Sequence, residues 1–449
     1  MSKDKRVQTN LMTEGSVWKS ILFFSVPLIL GNLLQQMYNT VDSIIVGNCV
    51  GDSALAAVGS SSSLIYLLIA FSQGASVGAG IVVSQFLGAE ERENVQDAVH
   101  TALAVSVLFG IVLTAAGILF TPQLLAWMKT PSDVMEESVL YLKIYSGGLI
   151  FNIIYNMAAG ILNAVGNSKR SLLYLAAASV VNIGLDLLLI SGLKMGVSGA
   201  ALATDISQAV SCVLSLVFLM RVQADYRVSL RRIRFKKAMV VKIVRIGLPA
   251  GIQNMVISLS NVIMQSGINS FGKKAMAGFG AYMKIDGFNI LPVLSFSMAV
   301  TTFVGQNFGA GNKERMKKGM WVTLVMGLIY TIVTGVLLLV FASQIVGLFN
   351  KDAQVIRYGV LATRYFCPFY FILSILHGLA GTVRGTGRTI PPMVILLASL
   401  CIFRIAAMKI IVPHFDTIDS IYILYPISWL IGAVLMVLYV WKGKWQEHL

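Results

Sequence analysis

The sequence predicts an all-α polytopic membrane protein, with about 12 transmembrane helices in two parallel-repeat six-helix lobes around a central cavity. Three observations predict it. Of 449 residues, 56% are hydrophobic and only 12% charged, too little charge to coat a soluble domain of this size. Apolar stretches of about 20 residues or more recur along the whole length, each enough to cross a hydrocarbon core roughly 30 Å thick. Finally, the second half repeats landmarks of the first at a nearly constant offset.

The elements read in order as follows. Span one (19–46) follows a basic N-terminus, with Lys3, Lys5 and Arg6 beside Asp4, and contains Pro27. Span two (55–87) starts in Gly51–Gly59 (GDSALAAVG) and ends in Gln85–Ala89 (QFLGA). Spans three (96–120) and four (138–163) follow. Gly166, Lys169 and Arg170 lead into span five (171–191), and span six (198–220) ends in a basic run from Arg221 to Arg245. The second half gives spans at 241–269, 276–307, 317–341, 357–382, 389–411 and 419–441. Several exceed a straight crossing, so tilt or extension past the bilayer is expected.

The repeat supports this division. Pro27 and Asn32 match Pro249 and Asn254, and GDSALAAVG matches Gly272–Gly280 (GKKAMAGFG). Gln85–Ala89 matches Gln306–Ala310 (QNFGA), and Gly166 matches Gly385. The offset stays between 219 (385 minus 166) and 222 (249 minus 27). An even number of spans per half makes the repeats parallel, related by an axis along the membrane normal. The expected domains are an N-lobe at 1–220, a basic linker at 221–240 and a C-lobe at 241–449.

Lys and Arg set the expected orientation. Alternate connections are basic: the N-terminus, Lys169 and Arg170, the linker, then Lys313, Arg315, Lys317 and Lys318, then Arg384 and Arg388, then Lys442 and Lys444. The intervening loops carry fewer, such as Lys129, Lys194, Lys273, Lys274 and Lys351. The positive-inside rule places both termini in the cytoplasm of a multi-pass plasma-membrane protein. A net charge of +15 then reads as topology rather than nucleic-acid binding. Arg231, Arg232, Arg234, Lys236 and Lys237 also suit anionic lipid headgroups. The N-terminus lacks the cleavage pattern expected of a removable signal peptide.

The halves differ where it matters most. Asp42 and Asp186 sit inside spans, and their repeat partners are Met264 and Ile405. A carboxylate in hydrocarbon is expensive and marks a functional site by default. Gln35, Tyr38 and Asp42 share one face of span one, Asn182 and Asp186 one face of span five, and Thr204 and Gln208 one face of span six. Such polar stripes should point inward, where partners satisfy them. Two acids among amide, hydroxyl and phenol oxygens suit a proton or a hard cation such as Na+, with Asp42, Asn182, Asp186 and Thr204 as candidate ligands. Desolvation and repulsion both favour the neutral form of a carboxyl group, so the pair has the character of a switch. The plain alternative is hydrogen bonding between helices. Asp205, beside Thr204 but turned about 100° around the helix, either joins the same cavity or pairs with a basic group elsewhere.

The second half places Lys284, Asp286, Arg364, His377, Arg404 and Lys409 within spans. Arg364 and Lys409 lie near span ends and are expected to snorkel. Lys284 and Arg404 lie deeper, with Asp286 as the expected counter-charge, and an anionic substrate group as the other reading. His377 is a cavity candidate whose alternative is packing.

Enzyme chemistry is not signalled. Neither clustered prenyl-transferase aspartates nor an HExxH motif occurs. Cys49, Cys212, Cys367 and Cys401 form no CxxC pair, and His100, His377, His414 and His448 no metal-ligand spacing. No filter sequence suggests a channel. Twenty methionines suit an adaptable pocket and equally an ordinary membrane core.

With these residues in view, the whole chain resembles the multidrug and toxic compound extrusion (MATE) family in its prokaryotic branch. Asp42, Tyr38, Asn182, Asp186 and Thr204 match the family's N-lobe cation site. Asn156 matches the polar fourth-helix residue of the same network, and Pro27 the bending proline. The resemblance implies a secondary active transporter that exports amphipathic, cationic compounds by H+ or Na+ antiport with alternating access. It implies no cofactor beyond the coupling ion, contact with membrane lipids, and function as a monomer. Asp205, Lys284 and Arg404 depart from the family pattern. A lipid-linked oligosaccharide flippase of the same superfamily is the rival.

Overall fold

A chain in hydrocarbon must satisfy its backbone within each span. The computed structural model is accordingly helical, with no strand among the described residues, 11–128, 130–415 and 417–447. Lys3, Asp4, Lys5, Arg6, Lys129 and His448 lie outside them. Among the described residues, twelve helical stretches are long and apolar enough to cross a membrane. The first half contains α1 (Val17–Cys49), α2 (Asp52–Gly88), α3 (Arg92–Trp127), α4 (Met135–Ala164), α5 (Ser168–Asp186) and α6 (Gly196–Arg221). The second begins with α7 (Lys237–Asn269), α8 (Lys273–Gly309), α9 (Lys313–Val340) and the short α10 (Ala342–Val346).

Some spans are less regular than hydropathy implies. Span ten is two helices, α11 (Ala353–Phe366) and α12 (Tyr370–Gly385), joined by a 3-10 turn at Cys367–Phe369. Pro368 in that turn has no N–H to donate. Span eleven runs as α13 (Ile390–Leu397), a π-helical stretch (Ala398–Phe403) and α14 (Arg404–Ile410). Span twelve is α15 (Asp419–Tyr422) and α16 (Leu424–Trp441). Pro27 and Pro249 sit inside unbroken helices, where each removes the donor for the carbonyl four residues earlier, at Phe23 and Arg245.

The chain gathers into two compact units. One comprises Leu11 and Val26–Gly251, the other Met12–Ser25 and 252–447, over the described residues. In the first unit, α2 and α7 meet through glycines at i and i+4 on each helix, Gly74 and Gly78 against Gly247 and Gly251. A Cβ at Gly74 would stand 2.6 Å from the Gly251 nitrogen. Only glycine admits so close a crossing. A core of Ala98, Val99, Ala102, Ile161, Leu162, Leu219 and Ile243 fills the space beside it.

The basic linker is fastened to α3. The Ser229 N–H donates to His100 Nε2 (2.9 Å), and Arg232 to Gln96 Oε1 (2.6 Å). Asp97, nearly buried, accepts from Arg234 (3.1 Å) and from Lys236. Some linker cations therefore hold the strap down. Asp97→Asn is expected to accelerate tryptic cleavage within 231–237 by severalfold, read as cleavage rate of the intact protein, because it leaves two cations without their counter-charge.

The second unit uses a similar device. Gln306 Oε1 accepts the Met12 N–H (2.7 Å), while Arg315 donates to the carbonyls of Met12 (3.1 Å), Gly15 (2.8 Å) and Glu14 (2.5 Å). Outside the spans, Asp352 caps α11 by accepting from the N–H groups of Gln354 (2.8 Å) and Val355 (3.3 Å) and pairs with Lys274 at 3.1 Å. The Lys274 ammonium, then the two N–H donors, hold its carboxyl below the usual carboxylate range. A depressed acid stabilises the fold above its ordinary pKa and loses that contribution as pH falls through the depressed value. Amide exchange at the start of α11 should therefore accelerate only below about pH 4.

Candidate ion-binding site

Three helices of the first unit build the site. α1 reaches α5 where Gly31 lies against Leu172 and Leu175, and the segment after α5 where Cys49 Sγ meets Ser191 Oγ at 3.2 Å. α5 packs on α6. Asp186 ends α5, and the chain continues as a π-helical turn, Leu187–Gly192. Such widened turns concentrate at functional sites. Ile190 of this turn joins Ile45, Val46, Val58, Val197 and Ala200 in an apolar cluster.

The two acids come together. Asp186 is fully buried and Asp42 partly so, and their carboxyl groups interact directly. No hydrogen bond of ordinary geometry satisfies them: both Asp186 oxygens and Asp42 Oδ1 are buried without a partner among the described residues. Asn182, 1% exposed, has both amide atoms in the same condition, and so does Gln208 Oε1. Leaving one buried polar atom unpaired costs about 1–3 kcal/mol. Six such atoms on neighbouring helices form a site built to hold something.

The donor set narrows what that is. Thr204 Oγ1 donates to the Ala200 carbonyl (3.1 Å), so its lone pairs stay free to accept. Carboxylate, amide and hydroxyl oxygens are hard donors suited to H+ or Na+. Among the described residues no three His, Cys, Asp or Glu side chains converge as metal ligands.

The other expected residues divide. Tyr38 is buried, and the amide of exposed Gln35 reaches its hydroxyl. Asn156 bonds to Asn152 (Nδ2 to Oδ1, 2.8 Å), on α4. Asp205 lies against Gly148 of α4. Two residues that sequence reasoning missed lie on the same helix, α4. Tyr141 and Tyr145 are buried with ring centroids 6.2 Å apart. Tyr141 is within electrostatic reach of Asp42, Asp186 and Asp205, and Tyr145 of Tyr38 and Asp205. Tyr141, Tyr145, Gly148, Asn152 and Asn156 follow one helical face, a signal hidden because tyrosines count as apolar in hydropathy.

The second unit corrects the expected charge pairing. Lys284 is exposed, with its ammonium 5.7 Å from the centre of the Phe349 ring. Asp286 instead accepts from Tyr282 (3.1 Å) and from Tyr370, whose hydroxyls meet at 2.5 Å. Arg404, 3% exposed, donates to Ser428 Oγ (2.8 Å) and Asn261 Oδ1 (3.3 Å) and stacks over Tyr425 at 4.3 Å. Residues two apart on a helix, such as 284 and 286, point away from each other. Arg404 is held by neutral groups rather than by Asp286. His377 is partly buried, and its carbonyl accepts the Ser297 hydroxyl (2.7 Å).

Comparison with known proteins is consistent with this layout. The MatE family model matches residues 27–188 and 249–408. The probable multidrug resistance protein YoeA of Bacillus subtilis is 30% identical, covering 97% of this chain and 96% of that one. The multidrug export protein MepA of Staphylococcus haemolyticus is 25% identical, covering 93% and 90%. In fold, the chain is similar to a MOP superfamily transporter from Pyrococcus furiosus (TM-score 0.92, 23% identity, 99% and 100% covered).

Proposed function

Because this chain belongs to the MATE family, we propose that it is a secondary antiporter exporting amphipathic, cationic compounds in exchange for H+ or Na+, with Asp42 and Asp186 as the exchanging pair. The observation that carries this reading is the cluster of unpartnered buried atoms on Asp42, Asn182, Asp186 and Gln208. The names of the relatives, multidrug resistance and multidrug export proteins, support the class of cargo.

The chemistry follows from charge. Two ionised carboxylates at close range repel, and burial strengthens the repulsion. A bound H+ or Na+ removes it and lets α1, α5 and α6 pack differently. An ion shifts such an equilibrium only through its different affinity for the two arrangements. The membrane potential adds about 2.3 kcal/mol per charge per 100 mV to the step. On this reading the protein crosses the plasma membrane with both termini cytoplasmic, works as a monomer, and needs no cofactor. A flippase for lipid-linked sugars asks for a strongly basic cavity; exposed Lys284 and the engaged Arg404 do not favour it.

Reconstituted protein supplied with a fluorescent cationic dye and either a proton or a sodium gradient tests the proposal. One of the two gradients should drive dye transport. Transport of a lipid-linked sugar with no dye movement under either gradient would favour the flippase.

A further inference from the structure

We infer that Asp205 is a second proton station of the first unit, handing the proton to the Asp42–Asp186 pair along the polar face of α4. The inference rests on the antiport reading above and adds a route and a residue to it.

The placement of Asp205 is specific. Its side chain lies on α4 at Gly148, where any added Cβ would collide with the Asp205 carboxyl. The carboxyl is within hydrogen-bonding reach of the Gly148 backbone. Glycine at 148 therefore admits the acid to the face that carries Tyr145 and Tyr141 on one side and Asn152 and Asn156 on the other. None of the ion pairs among the described residues involves Asp205, which sets aside neutralisation by a basic side chain. It is also not a third ligand at the pair, since no three-acid group forms among the described residues. An intramembrane carboxyl without an ion-pair partner is costly unless it has work to do.

The two buried phenols on this face of α4 suit proton transfer. Tyr145 is within electrostatic reach of Asp205 and Tyr38, and Tyr141 of Asp205, Asp42 and Asp186, and the two ring centres stand 6.2 Å apart. A phenol passes a proton by accepting one on its oxygen and releasing its own. The net change is one proton moved from the Asp205 carboxyl to a carboxylate of the pair, with both tyrosines unchanged. Asp205 is thus a relay, and its removal should slow delivery without removing the site that receives it.

The test uses reconstituted full-length protein, a proton gradient and the cationic dye, with rates measured from pH 5.5 to 8.5 and dye affinity measured separately. Asp205→Asn should slow transport at least about tenfold with dye affinity unchanged, most strongly at alkaline pH where protons are scarce. Tyr145→Phe, which removes only the hydroxyl, should reproduce the slowing, and Asp205→Glu should restore much of the rate. Wild-type rates for Asp205→Asn across the range would overturn the inference. So would equal slowing at every pH with no rescue by glutamate, the signature of a structural role. Dye-induced ion release from the Asp42→Asn/Asp186→Asn double variant distinguishes the levels: if it releases as many protons and sodium ions as wild type, the antiport reading has failed, not the relay alone.

Discussion

Asp186→Asn is expected to abolish ion-driven transport while making the protein more heat-stable. The carboxyl is fully buried, has no hydrogen-bond partner among the described residues and faces Asp42. An amide neither takes up a proton nor carries the charge that draws a sodium ion. Losing about 3 kcal/mol of ion binding corresponds to roughly a hundredfold weaker site, and gradient-driven dye efflux should fall by at least that order. The same change removes a buried repulsion. Replacing buried charge by neutral groups of similar shape commonly gains about 1–4 kcal/mol, so the melting temperature without added ion should rise. Asp42→Asn should act in the same direction but gain less, because Asp42 is only partly buried. Function lost together with stability lost would indicate that the pair is structural glue. Efflux assays and thermal unfolding of one preparation read both effects.

The second large effect concerns the crossing of α2 and α7. A Cβ at Gly78 would overlap backbone of α7 at Ile243 and Gly247, and one at Gly247 would stand 2.6 Å from the Gly74 carbonyl oxygen. Backbone cannot yield as a flexible side chain does. Gly78→Ala should destabilise by about 1–3 kcal/mol, and Gly247→Leu should leave no monodisperse protein in size-exclusion chromatography. Gly280→Ala is the control. It lies mid-helix in α8 with nothing within 4 Å of the added carbon, so alanine's better helix propensity, by up to about 1 kcal/mol, should keep or raise stability. If Gly78→Ala behaves like Gly280→Ala, the crossing is looser than described.

What was legible in the sequence follows from what hydropathy and periodicity measure. The twelve spans were readable because each must bury its own backbone in an apolar solvent, and their bounds fall within about four residues of the observed helices, except that α3 runs on past the expected end at 120 to Trp127. The stripes on α1, α5 and α6 were readable because Asp, Asn, Thr and Gln contrast with apolar surroundings. The stripe on α4 was not, since Tyr141 and Tyr145 look apolar and Gly148 acts through what it lacks. Lys284 does not pair with Asp286 because closeness in sequence is not closeness on a helix: the two side chains leave α8 in nearly opposite directions. Pro368 gives the break in span ten a visible cause, whereas the π-helical turns after Asp186 and before Arg404 have no local sequence mark.

One measurement reaches the central claim directly. Purified protein in weakly buffered, sodium-loaded detergent solution is titrated with the cationic dye while released protons and sodium are recorded. Wild type should release one of these ions as dye binds, and the Asp42→Asn/Asp186→Asn double variant should release neither. Dye binding to wild type with no ion released, or equal release from the double variant, would contradict exchange at this pair.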